Sequence, residues 1–396
     1  MRVALLSRAV FPVHGYGGLE RHVAALEKYL KLAGCEVTLF TSPAEGGARL
    51  EPREGTEFVP YRTIPWPRRK GFVVLDRDTN YLAWSVGAAR RVLARGGVDI
   101  VQADGGAGFG YGLLAGPETP PFVLHPHGME EFKAPAAKRA LYLPLRSATR
   151  FAARRAARVL APDASMKEEV KQNLGVEEER MSVVPNAIDL SEIDRRTPAV
   201  SLEIPPGARV LLSVGRLEPN KGFSYLVRAL SRARARLPKD FLWILVGEGP
   251  ERAKLETEIA REGLDAQARL TGRIGDDELH PLYERCEIFV HPTLYEGSSM
   301  VTLEAMAHRK PIVATRAGGI PDKILHRENG LLVPPADVDA LEEAIVEALA
   351  AGDRLKDWGE RSRVRVERHF SWSERVKELV ALYEEVLRSR HRRIRG

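Results

Sequence analysis

Cysteine is scarce in this sequence, and long hydrophobic runs are absent. The 396 residues include two cysteines, Cys35 and Cys286, about 250 positions apart. This excludes a disulfide scaffold and a cysteine-rich metal module, and it fits a reducing compartment. No segment approaches the ~18–20 continuous apolar residues that a membrane-spanning helix needs. The N-terminal apolar run Val3–Leu6 is shorter than the ~7–15 residues of a signal-peptide core, so it predicts a first strand and a cytoplasmic protein.

Net charge is also small. The chain has 60 Lys and Arg against 54 Asp and Glu, a formal charge of +6, which permits anionic ligands without indicating nucleic acid. With 44% hydrophobic and 29% charged residues, the composition is that of a globular protein, and the length suggests two or three domains.

Short apolar runs alternate with amphipathic stretches along the whole chain. The runs in the first half are Val3–Leu6, Val37–Phe40, Ile100–Val101, Phe122–Leu124 and Val159–Leu160. Those in the second half are Val210–Val214, Leu242–Val246, Ile288–Val290 and Ile312–Ala314. Buried strands alternating with helices, such as Leu19–Ala33 and Phe223–Leu237, predict an α/β fold with two doubly wound parallel sheets.

The pattern restarts after the polar stretch Ser191–Pro206. We therefore expect a domain over residues 1–195, a second over 205–371, and a last segment over 372–396. Because parallel sheets bind ligands at the carboxyl ends of their strands, the loops after strands are where a site is expected.

The loop after Val210–Val214 carries two cations, Arg216 and Lys221, between Gly215 and Gly222. A helix is predicted from Phe223, and helix N-termini favour anions. Two cations at such a place suit a diphosphate, although a solvated loop with ordinary surface charges would look the same. It is not a Walker loop.

The loop after Ile288–Val290 places a carboxylate on each side of a helix start. Glu296 precedes a helix predicted over Met300–Ala307, Ser298 or Ser299 is a natural N-cap, and Glu304 lies one turn inside. The amides can hold phosphate and the carboxylates can hold sugar hydroxyls. By itself this spacing is more typical of a solvated helix surface.

Many motifs follow one another in a fixed order in the second half. They are Gly215-Arg216-Leu217, Lys221-Gly222, Val246-Gly247-Glu248-Gly249-Pro250, Gly272, Glu296-Gly297, Leu303-Glu304-Ala305-Met306-Ala307, Pro311-Ile312-Val313-Ala314, Gly318-Gly319-Ile320 and Asn329-Gly330-Leu331-Leu332-Val333. This series resembles glycosyltransferase family 4, retaining enzymes of the GT-B fold that use nucleotide sugars. The resemblance covers roughly residues 209–345 strongly and the first half more weakly. It implies that the first domain binds the acceptor, that the second binds the nucleotide sugar, and that the last helix, Trp372–Leu387, crosses back to the first domain.

The resemblance implies a role for each matching residue. Arg216 and Lys221 would bind the donor diphosphate, Glu296 would hold hydroxyls of the transferred sugar, and Glu304 would hold the ribose. Backbone contacts to sugar, phosphate and nucleobase would come from Gly297, Ser298, Ser299, Met300, Val301, Arg273 and Ile274.

The first half contributes weaker signals. Gly17-Gly18, ahead of a predicted helix, matches the family's loop that reaches the donor, and His127 before Gly128 matches a strand-end histidine that contacts the donor sugar. Taken alone, a glycine turn and a lone histidine are more often structural.

The implied reaction is transfer of a hexosyl group from a UDP- or GDP-sugar to a hydroxyl of a sugar, glycan or lipid-linked acceptor. We expect front-face attack with retention of configuration, with no cofactor and no metal, because two cations and a helix dipole would neutralise the diphosphate. One departure concerns Arg309, where the family usually has Gly, so the preceding helix must end without glycine's left-handed conformation.

Residues 133–158 contain eight Lys or Arg and no acid: Lys133, Lys138, Arg139, Arg146, Arg150, Arg154, Arg155 and Arg158. Five arginines follow in Arg388–Arg395. The stretch fits either peripheral contact with an anionic membrane or a solvated basic face beside the acceptor site.

Three other functions remain open at this stage. Asp76-Arg77-Asp78 could be the metal site of a metal-dependent GT-A transferase, although such triplets are common by chance. Gly110-Tyr111-Gly112-Leu113-Leu114-Ala115 fits only a relaxed dinucleotide motif. A non-catalytic protein that binds nucleotide sugars or nucleic acid is the third.

Overall fold

The computed structural model describes residues 1–15, 17–43, 54–67, 72–133, 139–195 and 202–395. Tyr16 of the first glycine loop, Lys138 of the basic stretch and residues 196–201 of the predicted linker lie outside these ranges. Side-chain burial is described for the same ranges except Glu130 and residues 393–395.

The chain divides into two compact units, Met1–Asn186 with Trp372–Gly396, and Ala187–Ser371. The sequence-based boundary lies further along the chain, at 195–205. Residues 372–396, whose helix is expected to cross back to the first domain, group with the first unit.

The first unit is built on a parallel seven-stranded sheet with the order β3-β2-β1-β4-β5-β6-β7. Its strands are β1 Arg2–Leu6, β2 Glu36–Thr41, β3 Thr56–Phe58, β4 Ile100–Asp104, β5 Phe122–His125, β6 Arg158–Ala161 and β7 Met181–Val183. Its helices are α1 Gly18–Leu32, α2 Val73–Arg95, α3 Gly108–Leu114, α4 Glu130–Lys133, α5 Leu143–Arg155 and α6 Lys167–Leu174, together with the C-terminal helix Trp372–Arg395.

The second unit repeats this plan with six parallel strands in the order β10-β9-β8-β11-β12-β13. Its strands are β8 Arg209–Val214, β9 Phe241–Val246, β10 Ala268–Gly272, β11 Ile288–His291, β12 Ile312–Thr315 and β13 Gly330–Val333. Its helices are α7 Leu190–Asp194, α8 Phe223–Ala233, α9 Arg252–Arg261, α10 Asp276–Arg285, α11 Met300–Ala307, α12 Ile320–Lys323, α13 Val338–Leu349 and α14 Asp353–His369; the C-terminal helix is then α15.

Both faces of the second sheet are covered, which is why its strands are continuous apolar runs. Along β9, Phe241, Trp243 and Leu245 join a core cluster on one face. Leu242, Ile244 and Val246 join a cluster on the other face. Alternate side chains of the strand therefore enter two different apolar cores, one on each face of the sheet, and neither face is exposed to solvent.

The prediction of two parallel-sheet α/β domains is confirmed, and every predicted strand is present. The four strands that were not predicted, β3, β7, β10 and β13, are the outer strands of the two sheets. Three of them are only three or four residues long, and β10 is largely half-buried. The apolar signal is weak in β3, β7 and β10, whereas β13 is apolar and buried but only four residues long.

The glycines of the relaxed dinucleotide motif serve helix packing. Gly110 lies within α3, and a Cβ there would overlap the backbone of Ser85 on α2. The segment lies inside a helix, not in a strand-to-helix turn, so this alternative is wrong. Among the described residues, no helix has the length and apolar character required to span a bilayer.

Candidate donor site

Three neighbouring strands of the second unit, β8, β11 and β12, end at the same edge of the sheet. The loops that follow them carry the sequence-predicted residues Arg216, Lys221 and Glu296 and the Gly318-Gly319 turn. A ligand site formed by these loops lies where parallel sheets usually place one.

Backbone contacts hold the first two loops together. The carbonyl of Asn220 accepts hydrogen bonds from the amide of Leu294 at 2.7 Å and from Oγ1 of Thr293 at 3.0 Å. Gly222 has φ +69°, and a Cβ there would overlap the carbonyl oxygen of Pro292. Glycine is therefore required at this position by both conformation and space.

Lys221 and Glu296 form an ion pair at the centre of the site, with Nζ 2.6 Å from Oε2. Both side chains are 16% exposed. His291, the last residue of β11, is fully buried and places Nε2 3.1 Å from the same carboxylate oxygen. A cation, a carboxylate and an imidazole thus meet at the strand ends, and sequence reasoning missed the imidazole.

This arrangement keeps Glu296 ionised. Burial by itself would raise the pKa of Glu296, but the positive charge of Lys221 and the contact with His291 outweigh it and lower the pKa to about 2. Burial lowers the pKa of His291, so its ring is neutral at pH 7. Glu296 is therefore a fixed acceptor for hydroxyl groups, and no proton is needed from it.

Arg216 does not join this group. Its side chain is 74% exposed, and the guanidinium pairs with Glu218 in the same loop. Its backbone position at the end of β8 is as predicted, but its head group would have to leave Glu218 to meet a diphosphate beside Lys221.

Helix α11 begins as predicted, at Met300. The hydroxyl of Ser299 accepts a hydrogen bond from the amide of Thr302 at 3.3 Å and so caps the helix. The first-turn amides of a helix have no intrahelical partners, which makes this end suitable for an anion. Gly297, Ser298, Met300 and Val301 are on the loop and first turn at this end.

A buried lysine supports the same loop. Lys323 is 0% exposed, and its Nζ donates to the hydroxyl of Ser298 at 3.0 Å and to the carbonyl of Gly319 at 3.2 Å. The amide of Gly319 donates in turn to the carbonyl of Gly297 at 2.9 Å. Lys323 was not predicted, because nothing in its local sequence distinguishes it from a surface lysine at a helix end.

Glu304 lies one turn into α11, where its Oε2 accepts a hydrogen bond from the hydroxyl of Tyr283 at 2.9 Å. Tyr283 is buried on α10 and stacks against His308. The structure therefore fixes the orientation of Glu304 through a residue that sequence reasoning did not single out. Arg273 and Ile274 follow β10 and precede α10 in the same unit; Arg273 is exposed.

In the first unit, Gly17 is the N-cap of α1 and Gly18 is its first residue. A Cβ on Gly17 would overlap the carboxylate of Glu20. A ligand that approaches this turn therefore meets an acidic side chain at the helix start.

His127 lies two residues beyond β5 with φ +56°, a left-handed conformation that is uncommon outside glycine. Its Nε2 lies 3.0 Å from Oδ1 of Asp104, which ends β4. His22 and His125 pack against its ring. His127 is thus at the carboxyl ends of the strands of its own sheet, as predicted.

Several cations of the basic stretch have partners within the protein. Lys133 pairs with Glu169 at 2.6 Å, and Arg158 pairs with Glu385 at 2.7 Å. Nε of Arg150 donates to the carbonyl of Asn173. A cavity of about 550 Å³ in this unit is lined by Arg154, Arg155, Arg158, Arg180 and Arg390.

Asp76 and Asp78 lie on helix α2, where residues two apart do not share a face. Asp76 accepts from the side chain of Asn80, and the fully buried Asp78 pairs with Arg77. They do not form the strand-end metal site of a GT-A transferase, so that alternative is wrong.

Comparisons with known proteins agree with this geometry. The family profile of glycosyl transferases group 1 matches residues 194–365, and that of glycosyltransferase family 4 matches residues 16–192. The chain is 30% identical to the MMP alpha-(1->4)-mannosyltransferase of Mycolicibacterium hassiacum, over 98% of each chain. It is 28% identical to the alpha-maltose-1-phosphate synthase of Mycolicibacterium smegmatis, over 98% of this chain and 100% of the relative.

Among solved structures, the sucrose-phosphate synthase of Thermosynechococcus elongatus has a TM-score of 0.81 at 22% identity, covering 98% of this chain and 99% of that one. Anabaena Alr3699/HepE in complex with UDP has a TM-score of 0.75 at 19% identity, covering 97% and 100%. The chain belongs to glycosyltransferase family 4 and is a glycosyltransferase of the GT-B fold.

Proposed function

We propose that this glycosyltransferase moves a hexosyl group from a UDP- or GDP-sugar to a hydroxyl of a sugar, glycan or lipid-linked acceptor, with retention of configuration and without a metal ion. The observation that carries the proposal is the Lys221–Glu296–His291 group beside the N-terminus of α11. The cation and the helix amides without intrahelical partners suit a diphosphate, and the ionised carboxylate suits the hydroxyl groups of a sugar.

Each residue has a distinct task. Lys221 neutralises the charge that develops on the departing nucleoside diphosphate. Arg216 joins it after its guanidinium has left Glu218. The first-turn amides around Gly297–Val301 hold phosphate and sugar oxygens. Glu296 accepts from hydroxyls of the transferred sugar, and Glu304, oriented by Tyr283, accepts from the ribose hydroxyls.

The nucleobase contacts the backbone of Arg273 and Ile274. Gly17, Gly18 and His127 of the first unit contribute the contacts to the sugar that the family resemblance implies. Two similar proteins bear on the choice of donor. Anabaena Alr3699/HepE was solved with UDP and with UDP-glucose, and one relative is named a mannosyltransferase.

In the transfer step, the acceptor hydroxyl attacks the anomeric carbon on the face that the diphosphate leaves. The C–O bond to the diphosphate breaks as the new glycosidic bond forms, and the departing phosphate oxygen takes the acceptor proton. Charge stabilisation by Lys221 and Arg216 supplies the role that a divalent ion has in other transferases. Glu296 is already engaged by Lys221 and His291, which disfavours it as a covalent nucleophile.

The first test is a thermal-shift screen with UDP-, GDP- and ADP-sugars, because a ligand at 100 times its Kd stabilises a protein by about 2.7 kcal/mol. With the preferred donor, Lys221→Met and Arg216→Met should each lower kcat by about 10²–10³-fold, the effect of losing one preorganised charge stabiliser. Lys239→Met, which removes an exposed lysine of the same unit, is the matched control.

Two measurements separate the finer claims. The anomeric configuration of the product, read by NMR, should equal that of the donor, and activity should survive treatment with EDTA. Unchanged kcat in the Lys221→Met/Arg216→Met double variant would overturn the assignment of the leaving-group site.

A further inference from the structure

Three histidines come together within the first unit. His22 is on α1, His125 ends β5, and His127 follows two residues later. A ring nitrogen from each lies within 4.8 Å of the other two. The ring centroids are 4.0 Å apart for His125 and His127, and 5.2 Å for His22 with each of the others.

Most ring nitrogens of this cluster lack a hydrogen-bond partner. His22 and His125 are 4% and 2% exposed. Among the described residues, Nδ1 of His22 and both ring nitrogens of His125 are buried without a hydrogen bond, and Nε2 of His127 has only the Asp104 carboxylate near it. Buried polar atoms are nearly always paired, so these nitrogens call for a group that the chain itself does not supply.

A carboxylate lies beside the cluster. Oδ1 of Asp104 is 3.0 Å from Nε2 of His127 and has no other partner among the described residues. Trp372 packs against the ring of His22 at 5.1 Å and against Tyr29 at 6.0 Å, which closes the cluster on that side. Three imidazoles are a donor set for a transition metal ion, and a carboxylate beside one of them is a usual outer-shell partner.

We propose that His22, His125 and His127, with Asp104 as the outer-shell partner of His127, bind a borderline divalent ion such as Zn²⁺ or Co²⁺. Ligand atoms on one tetrahedral ion are roughly 3.3 Å apart, given metal–nitrogen distances of about 2.0 Å. The nitrogens here are within 4.8 Å of one another, at most about 1.5 Å more than that separation, so side-chain rotations that bring them closer would form the site. Nitrogen-rich ligands favour these ions over Mg²⁺ or Ca²⁺, which prefer oxygen.

The metal site is separate from the chemistry of sugar transfer, and metal binding would inhibit that transfer. Under the proposed function His127 contacts the donor sugar. A metal ion that binds the ring of His127 removes that contact, so metal and donor should compete. This consequence rests on the proposed function, whereas metal binding itself does not.

The test uses the full chain, stripped with a chelator and dialysed, and titrated with CoCl₂ and ZnCl₂. We expect one ion per chain, a Co²⁺ absorption spectrum typical of four-coordinate nitrogen and oxygen ligands, and displacement of Co²⁺ by Zn²⁺. His125→Asn and His127→Asn should each weaken binding by more than about 100-fold, beyond the roughly 10–100-fold cost of losing an outer-shell partner. The matched control is His308→Asn, a buried histidine of the second unit, which should bind the ion normally.

Circular dichroism establishes that each variant is folded, and His127→Asn, the least buried of the three sites, keeps the test valid if the change at His125 disrupts the core. Absence of stoichiometric binding, a six-coordinate aqua-type spectrum, or equal binding by wild type and both variants would overturn the proposal and leave ordered water as the partner of these nitrogens. If the ion binds but transfer is unaffected by it, the metal site stands and the role of His127 toward the donor is wrong.

Discussion

At the scale of single residues, the donor site depends on one carboxylate that is held ionised. A glutamate in a loop before a helix is common in sequence. The ionisation of Glu296 depends on Lys221 from a neighbouring loop and on His291 from the end of a strand. The pairs Tyr283–Glu304 and Lys323–Ser298 act similarly, because each fixes a group that would otherwise rotate freely.

This predicts a specific pH response for Glu296→Gln. The variant loses charge-assisted hydrogen bonds, so kcat/KM should fall about 10- to 100-fold. Since the pKa of Glu296 is lowered to about 2, the wild-type side chain stays ionised under assay conditions. The ratio of wild-type to variant kcat/KM should therefore stay constant from about pH 8 to about pH 4.5, close to the ordinary carboxyl pKa.

The measurement is a pH profile of both proteins with the preferred donor. A ratio that shrinks below about pH 5 would show that Glu296 titrates normally. Glu328→Gln, which alters an exposed carboxylate of the same unit, should leave kcat/KM unchanged throughout.

At the scale of elements, α11 ends without the glycine that the family usually has. Arg309 adopts φ +56°, its amide donates to Met306, and the amide of Lys310 donates to Ala305, both at 3.0 Å. This is the Schellman pattern, built on a residue with a Cβ. The helix therefore ends with the usual hydrogen bonds, but the backbone of Arg309 is strained because a residue with a Cβ has the left-handed conformation.

Arg309→Gly should therefore stabilise the protein. Relief of left-handed strain is about 1–2 kcal/mol, and the extra freedom of glycine in the unfolded chain offsets about 0.5–1 kcal/mol. We expect a net gain of roughly 0.5–1 kcal/mol in the free energy of unfolding, measured by urea denaturation.

The exposed ion pair of Arg309 with Glu360 contributes little to this balance. Arg309→Ala is the control, because it removes the same ion pair and keeps the Cβ. If the glycine and alanine variants were equally stable, left-handed strain would not be the cause.

At the scale of the whole molecule, buried neutral histidines couple stability to pH. Burial is the main reason that the pKa of His308 falls to about 3, and the neighbouring charges of Lys310 and Arg363 add to it while Asp194 opposes it. His280 lies against the same ring, with Nδ1 2.7 Å from Nε2 of His308.

Below the unfolded pKa of about 6.5, the unfolded chain binds a proton at His308 that the folded chain excludes. His308 therefore leaves the free energy of unfolding unchanged above about pH 6.5 and lowers it as the pH falls toward 3. At pH 5 the free energy of unfolding should be lower by about 2 kcal/mol.

His308→Gln should accordingly show a shallower loss of stability between about pH 7.5 and pH 5 than the wild type, in urea unfolding followed by circular dichroism. The comparison concerns the slope, since the variant also loses packing at pH 7.5. His369→Gln, at an exposed position on α14, should keep the wild-type slope. Equal slopes for His308→Gln and the wild type would contradict the prediction.

The sequence by itself determined the fold class, the central strands of both sheets and the start of α11. These depend on apolar runs and capping residues, which are local in the chain. Arg216, Lys221, Glu296 and Glu304 were singled out from sequence by their places after predicted strands and by the family resemblance, and their roles toward the donor stay predictions. The outer strands escaped prediction, since three of them are only three or four residues long and β10 is largely half-buried.

Only the tertiary structure decided which side chains meet. Lys221 and Glu296 are 75 positions apart and come within 2.6 Å because β8 and β11 are neighbours in the sheet. His22 approaches His125 and His127 for a similar reason, since α1 packs beside strands that are distant in sequence. Electrostatic and ligand contacts depend on distances in space, and the order of residues along the chain does not specify those distances.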